Sequence, residues 1–230
     1  MKAIVYRQHG LPISDPEALI DIELPRPVPG PHDLLVQVHA VSVNPVDTKV
    51  RRNFPAEQPR VIGWDAVGTV YDTGDAVTLF RPGDQVFYSG TLNRPGSNAE
   101  YQLVDERCVG LKPASLSDAE AAALPLTSVT AWELLFDRLG IVEGGGAGEA
   151  ILIVGAGGGV GSILVQLARQ LTQLTVIGTA SRAETQSWVT QLGAHHVIDH
   201  SQPLYAELQR VGIESVDYVA SLTHTDHHFT

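Results

Sequence analysis

Hydrophobic residues recur along this chain in two rhythms, and the change between them falls near Ser115. Before it, Lys2 to Arg7, Leu34 to Val43, Ala66 to Tyr71, Gln85 to Tyr88 and Ala99 to Val104 are short runs rich in valine and aromatic side chains. Turn residues separate them, as in Pro27-Val28-Pro29-Gly30 and Arg81-Pro82-Gly83-Asp84. Branched and aromatic side chains fit a pleated, half-buried surface, so this spacing predicts a small β-barrel or sandwich. From Ser115 onward the signals are helical. Ser117 and Glu120 have the S-x-x-E spacing of a capping box. The Ala-rich stretch after them stops at Pro125, and a second helical stretch runs through Ala131, Trp132 and Leu135. Gly144, Gly145, Gly146 and Gly148 then read as a flexible connection.

Strand and helix patterns alternate in the last part, with strands at Ile151 to Val154, Thr175 to Gly178, His196 to Ile198 and Val216 to Ala220. Alternation of this kind implies a parallel sheet with right-handed crossovers. The expected fold class is therefore α/β with a β-rich N-terminal domain, divided into residues 1–124 and 125–230. No internal repeat breaks this plan.

A hydrophobic content of 43% against 18% charged residues describes a chain that folds around a core. No apolar run approaches the roughly 18 residues that span a bilayer, and the N-terminus has no signal-peptide pattern, so the expected location is the cytoplasm. With 26 acidic and 15 basic residues the net charge of −11 repels phosphate backbones and anionic lipid. Neither nucleic acid nor a membrane is an expected partner. A single cysteine, Cys108, excludes an internal disulfide and a multi-thiolate zinc site. Its apolar surroundings beside Val109 predict a small core residue, with a reactive thiol as the other reading.

The chemistry concentrates in ILIVGAGGGVGSILVQLAR, where a buried strand precedes a cluster of glycines and a helix follows. In that helix Val160, Ile163, Leu164, Leu167, Ala168 and Leu171 recur at helical spacing and form one apolar face. Glycines at such a turn let the backbone approach a pyrophosphate, whose charge is stabilised by free N–H groups at the helix N-terminus. The spacing is G-x-x-G-x-x-G over Gly155, Gly158 and Gly161, and the candidate phosphate cradle is Gly155, Gly158, Gly159, Val160 and Gly161. Its alternative is a plain strand-to-helix turn. After the second strand come Thr179-Ala180-Ser181-Arg182, with no acid before Glu184. An NAD enzyme places an acid there for the ribose diol, so Thr179, Ser181 and Arg182 favour NADPH, unless Arg182 merely caps a surface helix.

Taken in order, VSVNPVDTKVR, VIGWDAVGTV, GSNAEYQLVDE, LPLTSVTAWELL and GAGGGVGS resemble the medium-chain dehydrogenase/reductase superfamily. The likeness is greatest to its quinone oxidoreductase branch and a bacterial zinc-type alcohol dehydrogenase-like subgroup. It implies a GroES-like barrel followed by a Rossmann domain, a small-molecule substrate, and a homodimer when the chain is complete. It also implies that Asn44 lies near the nicotinamide and Thr127 beside the cofactor ribose. Where the family has a tyrosine in the first motif, this chain has Lys49, which could polarise a carbonyl or extend to solvent.

The zinc alcohol dehydrogenases of this superfamily hold catalytic zinc with a cysteine, the histidine of a Gly-His-Glu motif and a later ligand. The matching positions here are Asn44, then Trp64 with Asp65, and the structural-zinc cysteines are absent. Neither asparagine nor tryptophan is a usual zinc ligand, so no catalytic zinc is expected. His224, His227 and His228, and the set His195, His196 and His200, lack a thiolate and suit solvated or hydrogen-bonded roles better than metal binding.

Without a Lewis acid, an unactivated alcohol is a poor substrate, whereas a quinone or α,β-unsaturated carbonyl delocalises incoming charge onto its own oxygen. The leading expectation is an NADPH-dependent reductase of such acceptors, with Asn44, Lys49 and Thr127 as its catalytic candidates. Asn44 and Thr127 could instead serve only local backbone groups. A zinc alcohol dehydrogenase and a non-catalytic NADPH-binding protein are the alternatives. A sheet of order 3-2-1-4-5-6 has six strands and four are countable before Thr230. The Rossmann domain is thus expected to be incomplete, with the fourth strand at an open edge and roughly one hundred further residues in the whole protein.

Overall fold

A computed structural model describes residues 1–223 and 225–228. The chain forms two compact units, Met1–Leu126 and Thr127–Thr230.

The first unit is built on strands β1 (Lys2–Tyr6), β2 (Ile20–Glu23), β3 (Asp33–Ser42), β4 (Arg60–Val61), β5 (Asp65–Thr73), β6 (Gln85–Ser89), β7 (Tyr101–Asp105) and β8 (Val109–Leu111). They form an antiparallel sheet of order β7-β3-β5-β6-β8 and a smaller one of order β2-β1-β4. Alternation along β3, β5 and β6 buries Leu34, Val36, Ala66, Val70, Val86 and Tyr88 in one cluster. Helix α1 (Pro45–Asn53) joins β3 to β4, and α2 (Asp118–Ala122) begins at the expected Ser117/Glu120 capping box.

Helix α3 (Pro125–Trp132) starts as the first unit ends and continues as a π-helical segment, Glu133–Arg138. The second unit then alternates β9 (Ala150–Val154), α4 (Gly159–Leu171), β10 (Thr175–Thr179), α5 (Ala183–Gln191), β11 (His196–Ile198), α6 (Leu204–Arg210), β12 (Tyr218–Ser221) and α7 (Thr225–His228). Its sheet is parallel, of order β11-β10-β9-β12, which is the 3-2-1-4 portion of a doubly wound sheet. Strand β9 is buried throughout because neighbours cover both faces, and of the α4 face read from the sequence Val160, Ile163, Leu164, Leu167 and Ala168, joined by Val165 and without Leu171, pack onto the core around Ile151 and Ile153.

Two expectations are corrected. The glycine stretch is a pinned turn: Gly144 N–H donates to Leu171 O at 2.7 Å and Gln173 N–H to Gly145 O at 2.7 Å. Its glycines supply positive φ, +74° at Gly144 and +85° at Gly146, which a turn this tight requires. Cys108 is exposed, because it closes a 3-10 turn, Glu106–Cys108, that turns the chain between β7 and β8. Beside it Glu106 is the buried residue, accepting the Thr78 and Leu79 N–H groups at 2.9 and 2.8 Å.

Candidate functional site

In the second unit the glycines sit at the carboxyl end of the central strand β9, where doubly wound sheets place their ligands. Each glycine answers a different demand. Gly155 has φ +85°, a left-handed conformation that L side chains rarely adopt. At Gly161 a Cβ would lie 2.7 and 2.8 Å from Ala156 Cα and C and closer still to Gly155 O, all of it backbone that cannot yield. At Gly157 a Cβ would overlap the Thr185 methyl. Gly158 is different, since the nearest atom to a Cβ there is Gly155 O at 3.4 Å and its φ is −80°. Protein packing does not demand a glycine at 158. Its bare backbone leaves open space at the N-cap of α4, in front of the first-turn N–H groups of Gly159, Val160 and Gly161, which have no partner inside the helix. Thr127 stands beside this turn, for a Cβ on Gly159 would lie 3.1 Å from its Cγ2.

Thr179, at the end of β10, is buried, and its Oγ1 accepts the Gly155 N–H at 3.1 Å. It supports the loop from behind. The same oxygen lies 3.1 Å from His200 Nδ1. Ser181 and Arg182 are exposed, and Arg182 is the N-cap residue of α5 without a side-chain capping bond. Arg182 and Gly157 border one open depression of about 560 Å³, together with Glu184, Thr185 and Trp188. Of the glycine loop, Gly157 thus borders the same space as the arginine after β10.

The first unit holds Asn44 and Lys49. Asn44 is the N-cap of α1 and is buried, with its N–H donating to Asp47 Oδ2 at 2.6 Å. Its Nδ2 donates to Asp65 Oδ2 at 2.7 Å and to Ser42 Oγ at 3.1 Å, which commits both amide hydrogens. Lys49 lies on the exposed side of α1, away from buried Asp47 and Val50. Burial pushes both Asp65 and Asp47 above the usual carboxylate range. Hydrogen bonds from Ser42, Asn44 and the Leu126 N–H oppose the shift at Asp65, and the Asn44 N–H opposes it at Asp47.

An acid held above its ordinary pKa in the fold costs stability once pH passes the folded value and costs nothing below the unfolded one. Asp47→Asn should therefore gain stability relative to the parent as pH rises from about 4 to about 8. Denaturation midpoints at both pH values measure this, and an unchanged difference contradicts it.

Trp64 fills the place where zinc enzymes of the resembled superfamily carry a histidine. It is 2% exposed and packed with Tyr6, Val50 and Ile62. Its Nε1, buried without an acceptor, is an N–H donor and offers no lone pair to a metal. Among the described residues no group of three or more His, Cys, Asp or Glu side chains is arranged to hold a metal ion. His195 Nδ1 accepts the Val176 N–H at 2.9 Å, and burial lowers its pKa. His224 lies outside the described residues, as does the side chain of His228. Nor is any helix among the described residues long and apolar enough to cross a membrane.

Sequence reasoning missed Ser42, Asp47 and Gly157, and named Asp65 only beside Trp64 at a zinc-ligand position, without its bond to Asn44. A signal existed for α1 and Asp47, because Asn44-Pro45-x-Asp47 places a capping residue, a proline at N1 and an acid at N3. The link from Asp65 to Asn44 spans 21 residues and has no local signature.

Residues 30–114 match the alcohol dehydrogenase GroES-like domain. A zinc-type alcohol dehydrogenase-like protein of Staphylococcus aureus (strain Mu50) is 47% identical over 203 residues, covering 87% of this chain, which spans 60% of that relative's length. A solved structure from Rhizobium etli CFN 42, provisionally assigned as a zinc-dependent alcohol dehydrogenase, is 61% identical with a TM-score of 0.93, over 99% of this chain and 67% of that one. Escherichia coli quinone oxidoreductase, solved in complex with NADPH, is 28% identical with a TM-score of 0.79, over 95% of this chain and 65% of that one. Joined to a β-rich first unit and a 3-2-1-4 parallel sheet with a glycine turn after its central strand, these likenesses establish that the chain belongs to the medium-chain dehydrogenase/reductase superfamily, among its zinc-type alcohol dehydrogenase-like and quinone oxidoreductase members.

Proposed function

We propose that the chain belongs to an NADPH-dependent reductase of quinones or activated alkenes that works without zinc. The observation carrying this reading is the open N-terminus of α4, where Gly158 is bare although packing leaves room for a side chain. Its fit to a dinucleotide is supported by the first-turn N–H groups for the pyrophosphate and by Arg182, which borders a depression with Gly157 of the same loop, for a ribose 2′-phosphate. When bound, the cofactor supplies hydride. The chain's own residues bind and orient it: Gly155 and Gly161 shape the turn, Thr179 holds Gly155 from below, and Thr127 stands beside the helix start. An acceptor that spreads negative charge onto its own oxygen suits this site, since Asn44 and Trp64 do not fit zinc and such an acceptor needs no Lewis acid.

NADPH oxidation measured over a panel of quinones, enones and simple aldehydes tests the proposal. Turnover with the first two, unaffected by chelator and with well under one zinc per chain, is the expected outcome. Chelator-sensitive alcohol oxidation with stoichiometric zinc would contradict it, and NADPH binding with no turnover across the panel would favour a non-catalytic role.

A further inference from the structure

We infer that Asp65 is a positioning residue, a buried carboxylate that fixes the orientation of the Asn44 carboxamide and the start of α3 through one hydrogen-bond array. Its side chain is wholly buried. Oδ2 accepts from Ser42 Oγ at 2.6 Å and from Asn44 Nδ2 at 2.7 Å, while Oδ1 accepts the Leu126 N–H at 2.7 Å. Three donors therefore converge from the end of β3, the N-cap of α1 and the first turn of α3. Among the described residues no Lys, Arg or His forms an ion pair with it.

A buried carboxylate without a cation is a costly choice if only packing is needed, because an apolar residue of similar size avoids its desolvation. What an apolar residue cannot do is accept. Asp65 accepts at both oxygens, so it dictates that Asn44 turns its nitrogen inward, and Asp47 holds the backbone of the same residue at 2.6 Å. Asn44 is thus clamped at backbone and side chain by two buried acids. The amide replacement Asp65→Asn would keep an acceptor for Leu126 but present an NH2 to the Asn44 NH2. Asn44 would then have to rotate by half a turn or lose its partner.

The functional part rests on the reading of Asn44 as a residue facing the cofactor, and the test separates the two. In the intact chain, hydrogen exchange of the Asn44 carboxamide is followed by NMR, and NADPH-dependent quinone reduction is measured in parallel. Asp65→Asn should speed that exchange at least tenfold and lower kcat at least tenfold, with KM for NADPH changed less than threefold. Thr48→Ala, on the exposed side of α1 with its hydroxyl donating to Pro45 O at 2.9 Å outside this array, should move neither by more than threefold. If Asp65→Asn does not fold, Asp65→Glu retains the charge and the acceptors but shifts them by one methylene, and the same losses are expected. Unchanged exchange in a folded Asp65 variant overturns the positioning role. Faster exchange with unchanged kcat overturns the link to catalysis. Absence of NADPH turnover in the unaltered protein overturns the reductase reading, and the exchange result then stands on its own.

Discussion

Gly161→Ala is expected to weaken NADPH binding at least a hundredfold and to destabilise the second unit by about 1–3 kcal/mol, the range for an overpacked site that must shift backbone. The new methyl group would sit between the first turn of α4 and the Gly155–Ala156 backbone, so the loop would have to lift from the helix it caps. The companion variant Gly158→Ala separates packing from ligand binding. Its methyl meets nothing closer than 3.4 Å in the protein, so stability should change by less than about 1 kcal/mol while affinity still falls at least tenfold. Thermal melts with and without NADPH, alongside direct titration, read both quantities. Equal affinity losses and equal melting shifts in the two variants would mean that the glycines serve the turn alone.

Trp64→Ala should cost about 3–5 kcal/mol in the first unit, as large aromatic truncations in close-packed cores do. The indole is 2% exposed and anchors a cluster with Tyr6, Val50 and Ile62, to which Tyr6 adds a hydrogen bond from its OH to Phe54 O at 3.0 Å. Urea denaturation measures the loss. A change below about 1 kcal/mol would show that the cluster repacks and that Trp64 is not the core residue described here.

How far the sequence went depended on how local each feature is. Strand and helix periodicity placed β3, β5, β6, β9 and α4, because period-two and 3.6-residue patterns are written into the chain itself. Strands β2, β4 and β8 were not foreseen, being only two to four residues long and held by neighbours distant in sequence. The glycine stretch was misread for a related reason, since composition reports conformational freedom but not the bonds from Leu171 and Gln173 that remove it. Cys108 was misassigned because its apolar neighbours belong to a strand, whereas the cysteine itself closes the turn before it. At the candidate site the glycine loop, Thr127 and Arg182 were legible as motifs. The array around Asp65 was not, because its partners Ser42, Asn44 and Leu126 meet only after β3, β5 and the start of α3 have docked.

The glycine loop and the arginine after β10 are expected to select a 2′-phosphorylated dinucleotide, and titration of the unaltered chain and of Arg182→Ala with NADPH and NADH reads that selection. One charge-assisted contact to phosphate is worth about 1.5–3 kcal/mol, so NADPH should bind the unaltered chain at least tenfold more tightly, and Arg182→Ala should erase most of that preference. Equal affinity of the unaltered chain for the two cofactors, or a preference for NADH that disappears in Glu184→Ala, would rule out selection by Arg182.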